Sequence, residues 1–158
     1  MANPEHVKIL KQGVKAWNKW RWENPAERPS LREADLHGKN LRGLNLSDTN
    51  LRRADLSGTN ISQANLRRAD LRRANLTGAI LHEVDLTSAI LIETNLETAV
   101  LESCLVYGVS AWNVKLDGAY QKNLIVDKKN APNFMVDNLE IAQFINLLLD
   151  NRKNWRGH

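Results

Sequence analysis

Ala64-Asn65-Leu66-Arg67-Arg68, Ala69-Asp70-Leu71-Arg72-Arg73 and Ala74-Asn75-Leu76-Thr77-Gly78 are three consecutive statements of one five-residue phrase. The phrase extends from Pro29 to about Gly118 without losing register, with leucine or isoleucine at Leu31, Leu36, Leu41 and every fifth position to Leu101. Apolar residues are therefore spaced alternately two and three apart. On an α-helix a five-residue step drifts by about 140°, which would scatter the leucines around the axis. On a strand, residues two apart share a face, so Ala69 and Leu71 point together and Asp70 points away. The next two residues must bend the chain before the following pair can turn inward. Each pentapeptide is thus a very short strand plus a turn, and the chain winds around its own core as a solenoid.

A longer echo gives the size of one coil. Gly38, Gly58, Gly78 and Gly118 recur at multiples of twenty, as do Arg52-Arg53 and Arg72-Arg73. Glycine suits a corner that needs positive φ. Four pentapeptides then make a coil with four sides. Residues 29–118 hold about 18 pentapeptides in about 4.5 coils, a rod roughly 22 Å long at the inter-strand spacing.

The run A-[DN]-L-x-x, held in tandem, resembles the pentapeptide-repeat family. The resemblance implies a mostly β fold, a right-handed quadrilateral β-helix. The flanking segments Lys8 to Trp20, Tyr107 to Trp112 and Asn138 onward are similar to those bracketing the repeats in bacterial, notably cyanobacterial, members. In some longer relatives a further domain follows, so the chain is read either as a short natural form or as a truncated one. Some family members protect topoisomerases by resembling DNA, as acidic rods; the column Arg32, Arg52, Arg72 runs against that reading here.

The organisation expected is an N-terminal capping helix and linker over 1–28, the β-helix over 29–118, and a last strand, loop, capping helix and basic tail over 119–158. Asn3 caps the first helix, with Pro4 at its first position, and Val7, Leu10, Val14 and Trp17 form its apolar stripe as far as about Glu23. Trp17, Trp20 and Trp22 read as packing at that cap rather than as a ligand platform. Lys39 and Leu44 stand where alanine belongs, and the lysine is expected to reach outward near the open first coil.

Toward the other end the pattern fails near Gln121, Leu124 to Val126 reads as one last strand, and 127–132 as a loop. Asp137 and Glu140 form a capping box, and Val136 with Ile141 a hydrophobic staple. The closing helix runs from Asn138 to about Asn151, with Ile141, Phe144, Ile145 and Leu148 as its inward stripe. The tail from Arg152 to Arg156 is read as basic and mobile.

The chain has 158 residues and a net charge of +4. That permits weak attraction to anionic surfaces without requiring it. One cysteine, Cys104, excludes an internal disulfide and fits a reducing compartment; it occupies a small inward position and reads as a buried, inert thiol. The first residues lack the apolar run of a signal peptide, and no stretch approaches a membrane span. A cytoplasmic protein is expected.

Stacking at twenty turns the sequence into a surface map. One column of turn residues reads Arg32, Arg52, Arg72, Ile92, and the next Glu33, Arg53, Arg73, Glu93. Asp48 lies below Arg68, with Arg67 alongside. Between Arg73 and Glu102 every full charge is acidic. The arginines Arg32, Arg52, Arg53, Arg67, Arg68, Arg72 and Arg73 could hold a phosphate backbone or an acidic protein. The competing reading is a solvated surface compensated by Glu33, Glu93, Asp48, Asp55 and Asp70, and it is favoured because no aromatic residues interleave with the arginines. In the second half, Ile80, Ile90 and Val100 replace the outward Asp or Asn, with Ile92 nearby. Apolar side chains on the outside of a solenoid need a cover. With Phe144 they form a candidate interface, for the chain's own tail, a second copy or a partner.

The histidines are dispersed, Ser103-Cys104 has no histidine in reach, and no phosphate-binding glycine loop is present. No cofactor or metal is expected and no enzyme. The function expected is a non-catalytic interaction scaffold with an unknown protein partner, a homodimer through the C-terminal half being possible; nucleic-acid binding ranks second, and no membrane is involved.

Overall fold

A computed structural model describes residues 1–126 and 135–154, with side chains described as far as Leu148. Residue i pairs in parallel with residue i+20 along the solenoid, from Ser30↔Asn50 through Asp55↔Asn75 to Leu105↔Ile125. Most of these are single bridges, as expected of strands only a few residues long. Three sites lengthen into strands, Ile80–His82 (β1), Val100–Glu102 (β2) and Tyr120–Lys122 (β3), which form one parallel sheet.

Three kinds of hydrogen bond explain the phrase. The turn closes when the alanine amide donates to the leucine carbonyl three residues back, as Ala54 N to Leu51 O at 3.0 Å. Coils are joined when Leu56 N donates to Asn75 O at 2.7 Å and Asn75 N donates to Ala54 O at 3.0 Å. The outward Asp or Asn accepts, through its side chain, the amide two residues on: Ser57 N to Asp55 Oδ1 at 3.0 Å, Arg67 N to Asn65 Oδ1 at 3.0 Å. That last bond is an Asx turn, and it accounts for a polar residue whose side chain could otherwise be of any kind. The third turn residue is left-handed at every fifth position, from Glu33 (φ 61°) to Asn123 (φ 53°).

The interior is a stack of leucines, Leu31 to Leu101, with alanines between them. Where a larger residue replaces alanine it hides its polar atom against the backbone. Thr94 Oγ1 donates to Leu71 O at 2.8 Å, and the Cys104 thiol lies 2.9 Å from Leu81 O. Cys104 is fully buried, and burial pushes its pKa up to about 12.

The N-terminal cap is two helices, Pro4–Lys11 (α1) and Val14–Glu23 (α2), rather than the single helix expected. Gly13, at φ 101°, breaks the stripe and lets α2 turn. Asn3 does cap α1, accepting Glu5 N at 2.9 Å. Trp17 is buried with its indole N–H on Asn45 O at 2.7 Å, and Trp20 is half-buried. Trp22 is 82% exposed, so the expectation of core packing fails for that ring. Leu44 is fully buried, and Lys39 is exposed as expected.

At the far end the coil outlasts Gln121. β3 pairs with β2, and Leu124–Ile125 (β4) continues the column of Leu105 while pairing antiparallel with Met135–Val136 (β5). The closing helix is Leu139–Asn154 (α3), ending three residues later than expected, so Arg152 to Asn154 are helical backbone. Its cap is Asn138, whose Oδ1 accepts Ile141 N at 3.0 Å. Asp137 instead accepts Asn123 N at 2.8 Å, so the capping box is not formed, and Ile141 is 52% exposed, so neither is the staple. The loop expected at 127–132 and the end of the tail, Trp155 and Arg156, lie outside the described residues.

Candidate interaction surfaces

The arginine columns stand where the map placed them, on turn residues of the first coils, and each guanidinium has a carboxylate. Arg68 grips Asp48 with two bonds of 2.7 Å, and Arg72 grips Asp70 at 2.8 and 2.6 Å. Arg73 reaches Glu93 at 2.6 Å, Arg53 reaches Glu33 at 3.7 Å, and Arg67 reaches Asp85 at 3.4 Å. Arg52 lies 4.0 Å from Asp70, and Arg32 pairs with Glu33 at 3.2 Å. Asp55 was expected to share in this compensation; it binds Ser57 and Asn75 instead. Forked bonds from Arg68 hold the Asp48 carboxyl below the usual range. Burial opposes ionisation of Asp70, but the bonds from Arg72 outweigh it and its pKa is lowered too. Exposed pairs of this kind contribute about 0–1 kcal/mol each. Seven guanidiniums share five carboxylates, since Glu33 and Asp70 each serve two, so most but not all of the positive charge in the columns is offset.

The apolar set behaves differently. Ile80, Val100 and Tyr120 form one column, in register along β1, β2 and β3, with Ile80 44% and Tyr120 49% exposed. Ile90 and Ile92 lie two corners away, on the opposite side, and are half-buried. The structure therefore splits the expected patch. Trp112 continues the turn column of Ile92 and is 54% exposed. The expectation that residues 120–150 fold back over Ile80 and Val100 is not met by the described part of that segment.

Phe144 belongs to the largest surprise. The face of α3 turned to the solenoid carries Leu139 and Ala142 with the polar Gln143 and Asn146, while Ile141, Phe144, Leu147 and Leu148 face outward. Gln143 accepts the amide of Ala111 through its side-chain oxygen, and Asn146 Nδ2 donates to Val106 O at 3.2 Å. The last coil leaves backbone groups without a following coil, and polar side chains must satisfy them. This requirement turns Ile141, Phe144 and Leu148 of the expected stripe outward, while Ile145 stays half-buried against the core. Among the described residues, every large hydrophobic side chain counted as exposed lies from Ile80 onward, apart from Met1 and Trp22.

Twenty-residue parallel coils around a leucine stack, with Asx-closed turns where the outward residue is Asp or Asn, define a parallel β-helix built from pentapeptides. A family model described as pentapeptide repeats (8 copies) matches twice, over residues 30–68 and 64–102, and the similar solved structures below are pentapeptide repeat proteins. A pentapeptide repeat protein from the Arabidopsis thaliana thylakoid lumen is similar in structure, with a TM-score of 0.61 and 23% identity, over 74% of this chain and 88% of that one. One from the cyanobacterium Nostoc PCC 7120 aligns at a TM-score of 0.48 and 28% identity, over 80% and 91%. HetL, involved in heterocyst differentiation regulation in Nostoc sp. strain PCC 7120, aligns at 0.41 and 26%, over 68% and 67%. No curated protein matches by sequence. The Arabidopsis likeness bears on the fold.

Chemistry-bearing groups do not converge. Among the described residues no three His, Cys, Asp or Glu side chains are grouped to hold a metal ion, and no helix is long and apolar enough to cross a membrane. His82 sits 3.4 Å from both Glu83 and Glu102 on an exposed side of the coil. The surplus of apolar residues on the closing helix, Ile141, Leu147 and Leu148 among them, is visible in the sequence; the exposed residues that sequence reasoning missed are Tyr120 and Trp112. Adding twenty to Val100 and to Ile92 would have found both.

Proposed function

We propose that this chain is a non-catalytic interaction module, a right-handed four-sided coil capped by helices, that docks a protein at its C-terminal end. The observation that carries the reading is the outward apolar face of α3, Ile141, Phe144, Leu147 and Leu148. Satisfying the coil end fixes the polar residues of the inner face, but it does not call for large apolar residues on the outer face, where a helix that only sealed the coil would carry polar ones. Tyr120 and Trp112 are also exposed, on different sides of the last coil, and large exposed apolar areas mark contact sites. The occupant is a partner protein or a second copy. The single buried thiol fits a reducing, cytoplasmic setting.

Light scattering over a concentration series, with binding of a fluorescent apolar dye, tests this. The wild type should either associate or bind the dye, and Phe144→Asp should abolish both while circular dichroism is unchanged. A wild-type monomer that binds no dye and matches Phe144→Asp would overturn it. Polyanion binding through the arginine columns is the second reading. It requires affinity for DNA or RNA that falls steeply with salt and disappears in Arg52→Glu with Arg72→Glu. Absence of binding at low salt removes it.

A further inference from the structure

The N-terminal end of the solenoid poses a question of backbone accounting. Inside the coil stack, each outward Asp or Asn gives its N–H to the coil before it and receives an amide from that coil on its carbonyl. Asn75 and Asp55 both do so. The first coil has no coil before it, and two of its four sides are completed by side chains of the helices. At Ser30 the N–H donates to His6 Nδ1 at 3.0 Å, and the carbonyl accepts Asn3 N at 2.9 Å. At Asn45 the N–H donates to Asn18 Oδ1 at 2.8 Å, and the carbonyl accepts the Trp17 indole. Arg21 then donates to Ser47 O at 3.0 Å. Helical side chains stand in for a missing strand.

The other two sides, at Asp35 and Asn40, have no such substitute. Among the described residues neither backbone N–H donates and neither carbonyl accepts, and the carbonyls of His37 and Arg42 are free as well. This open edge borders a groove of about 630 Å³. Leu10, Gly13 and Val14 form its helical wall, and Leu36, Lys39 and Leu41 its coil wall. The break at Gly13 holds the wall away from the edge, and a Cβ placed there would meet nothing within 4 Å.

What fits is set by three features. Asp35 and Asn40 lie on adjacent sides with the corner at Gly38 between them, so the edge requires a segment that pairs along one side as a short strand and bends at the corner as each coil does. The apolar walls accept every second side chain. Lys11 and Lys39 line the groove, both exposed and, among the described residues, neither in an ion pair, unlike the arginines of the columns. The one acid there, Asp35, already accepts His37 N on its Oδ1 at 3.1 Å. Lys39 occupies the position that carries a buried alanine in Ala54, Ala64 and Ala74. A second copy does not supply the strand by stacking, because α3 crosses its last coil.

We infer that this groove docks an acidic segment of another protein, extended along a side of the coil and bent at the corner, which pairs with the open edge at Asp35 and Asn40. The inference stands independently of the docking surface on α3, and the two fail separately.

The test uses the full chain labelled for amide NMR and three synthetic octapeptides. One alternates valine and glutamate, one alternates valine and lysine, and the third is the glutamate peptide with alternate amides methylated. The glutamate peptide should shift the amides of Asp35 and Asn40 and slow their hydrogen exchange. The methylated peptide should not bind, because it lacks the donors. Lys11→Glu with Lys39→Glu should weaken the glutamate peptide by about tenfold or more. Lys39→Ala, which restores the ordinary residue of the repeat, should keep the fold and weaken binding less. The inference is overturned if the glutamate peptide is silent at millimolar concentration, if its shifts fall elsewhere, or if the lysine peptide binds equally well. Protection of Asp35 and Asn40 that grows with protein concentration alone would also overturn it, by making a second copy the occupant.

Discussion

Thr98 offers a direct measure of what the corners cost. Gly38, Gly58, Gly78, Thr98 and Gly118 share one corner column, all left-handed, and Thr98 is the exception at φ 55°. An L-residue in that region costs about 1–2 kcal/mol, and a β-branched one sits at the unfavourable end. Glycine costs about 0.5–1 kcal/mol in backbone entropy. Thr98 is exposed, so little burial is lost on truncation. Its hydroxyl and methyl lie 3.7 and 3.4 Å from where a Cβ would stand on Gly78 and Gly118, so the corner is not crowded. Thr98→Gly should therefore stabilise the fold by about 0.5–1 kcal/mol, a rise in Tm of about 1–4 °C at this length. Urea and thermal unfolding followed by circular dichroism measure it. Asn123→Gly should gain less, since asparagine tolerates the left-handed region. Unchanged or lowered stability in Thr98→Gly would refute the reasoning that corner conformation limits stability here.

Other expectations follow from the core and the charges. Leu71→Ala should cost about 2–5 kcal/mol in urea unfolding and fall in the upper part of that range, because hydrogen bonds to both neighbouring coils prevent collapse around the cavity. The carboxyls of Asp48, Asp55 and Asp70 are held below their ordinary range. Their stabilisation is complete above the unfolded carboxylate pKa of about 4 and is lost as pH falls through the lowered values, so the urea midpoint should drop in acid and Asp48→Asn should flatten that drop. Cys104, fully buried with its pKa raised to about 12, should resist alkylation at neutral pH in the native protein and react at once when unfolded.

The coil was legible because its register is repeated in every phrase: Leu56, Leu66 and Leu76 are buried where the period puts them. The reason for Asp or Asn was not legible, since a polar outward residue and an Asx acceptor read alike. The N-terminal stripe of Val7, Leu10, Val14 and Trp17 does pack on the core and only its break at Gly13 was missed, whereas the inner face of the closing helix was misjudged. Hydrophobic stripes predict which face a helix buries when the surface it meets is apolar. The ends of a β-helix are rows of unpaired amides and carbonyls, so the selected side chains are Asn18, Trp17, Gln143 and Asn146 rather than Phe144. Gly13 signals the break in the first helix, but only once the geometry of the first coil is known. The arginine columns were located correctly, and their pairing followed from stacking like charges about 4.8 Å apart.

The twenty-residue register also makes the rod an angular ruler between its ends. Removing twenty residues, one whole coil, would draw the groove at Asp35 and the outer face of α3 closer by about 4.8 Å without rotating either. Removing five would hardly change the separation but would swing one end by about a quarter turn relative to the other. Anything that grips both ends at once therefore reads coil number as distance and pentapeptide number as bearing, two quantities that the same chain can vary independently.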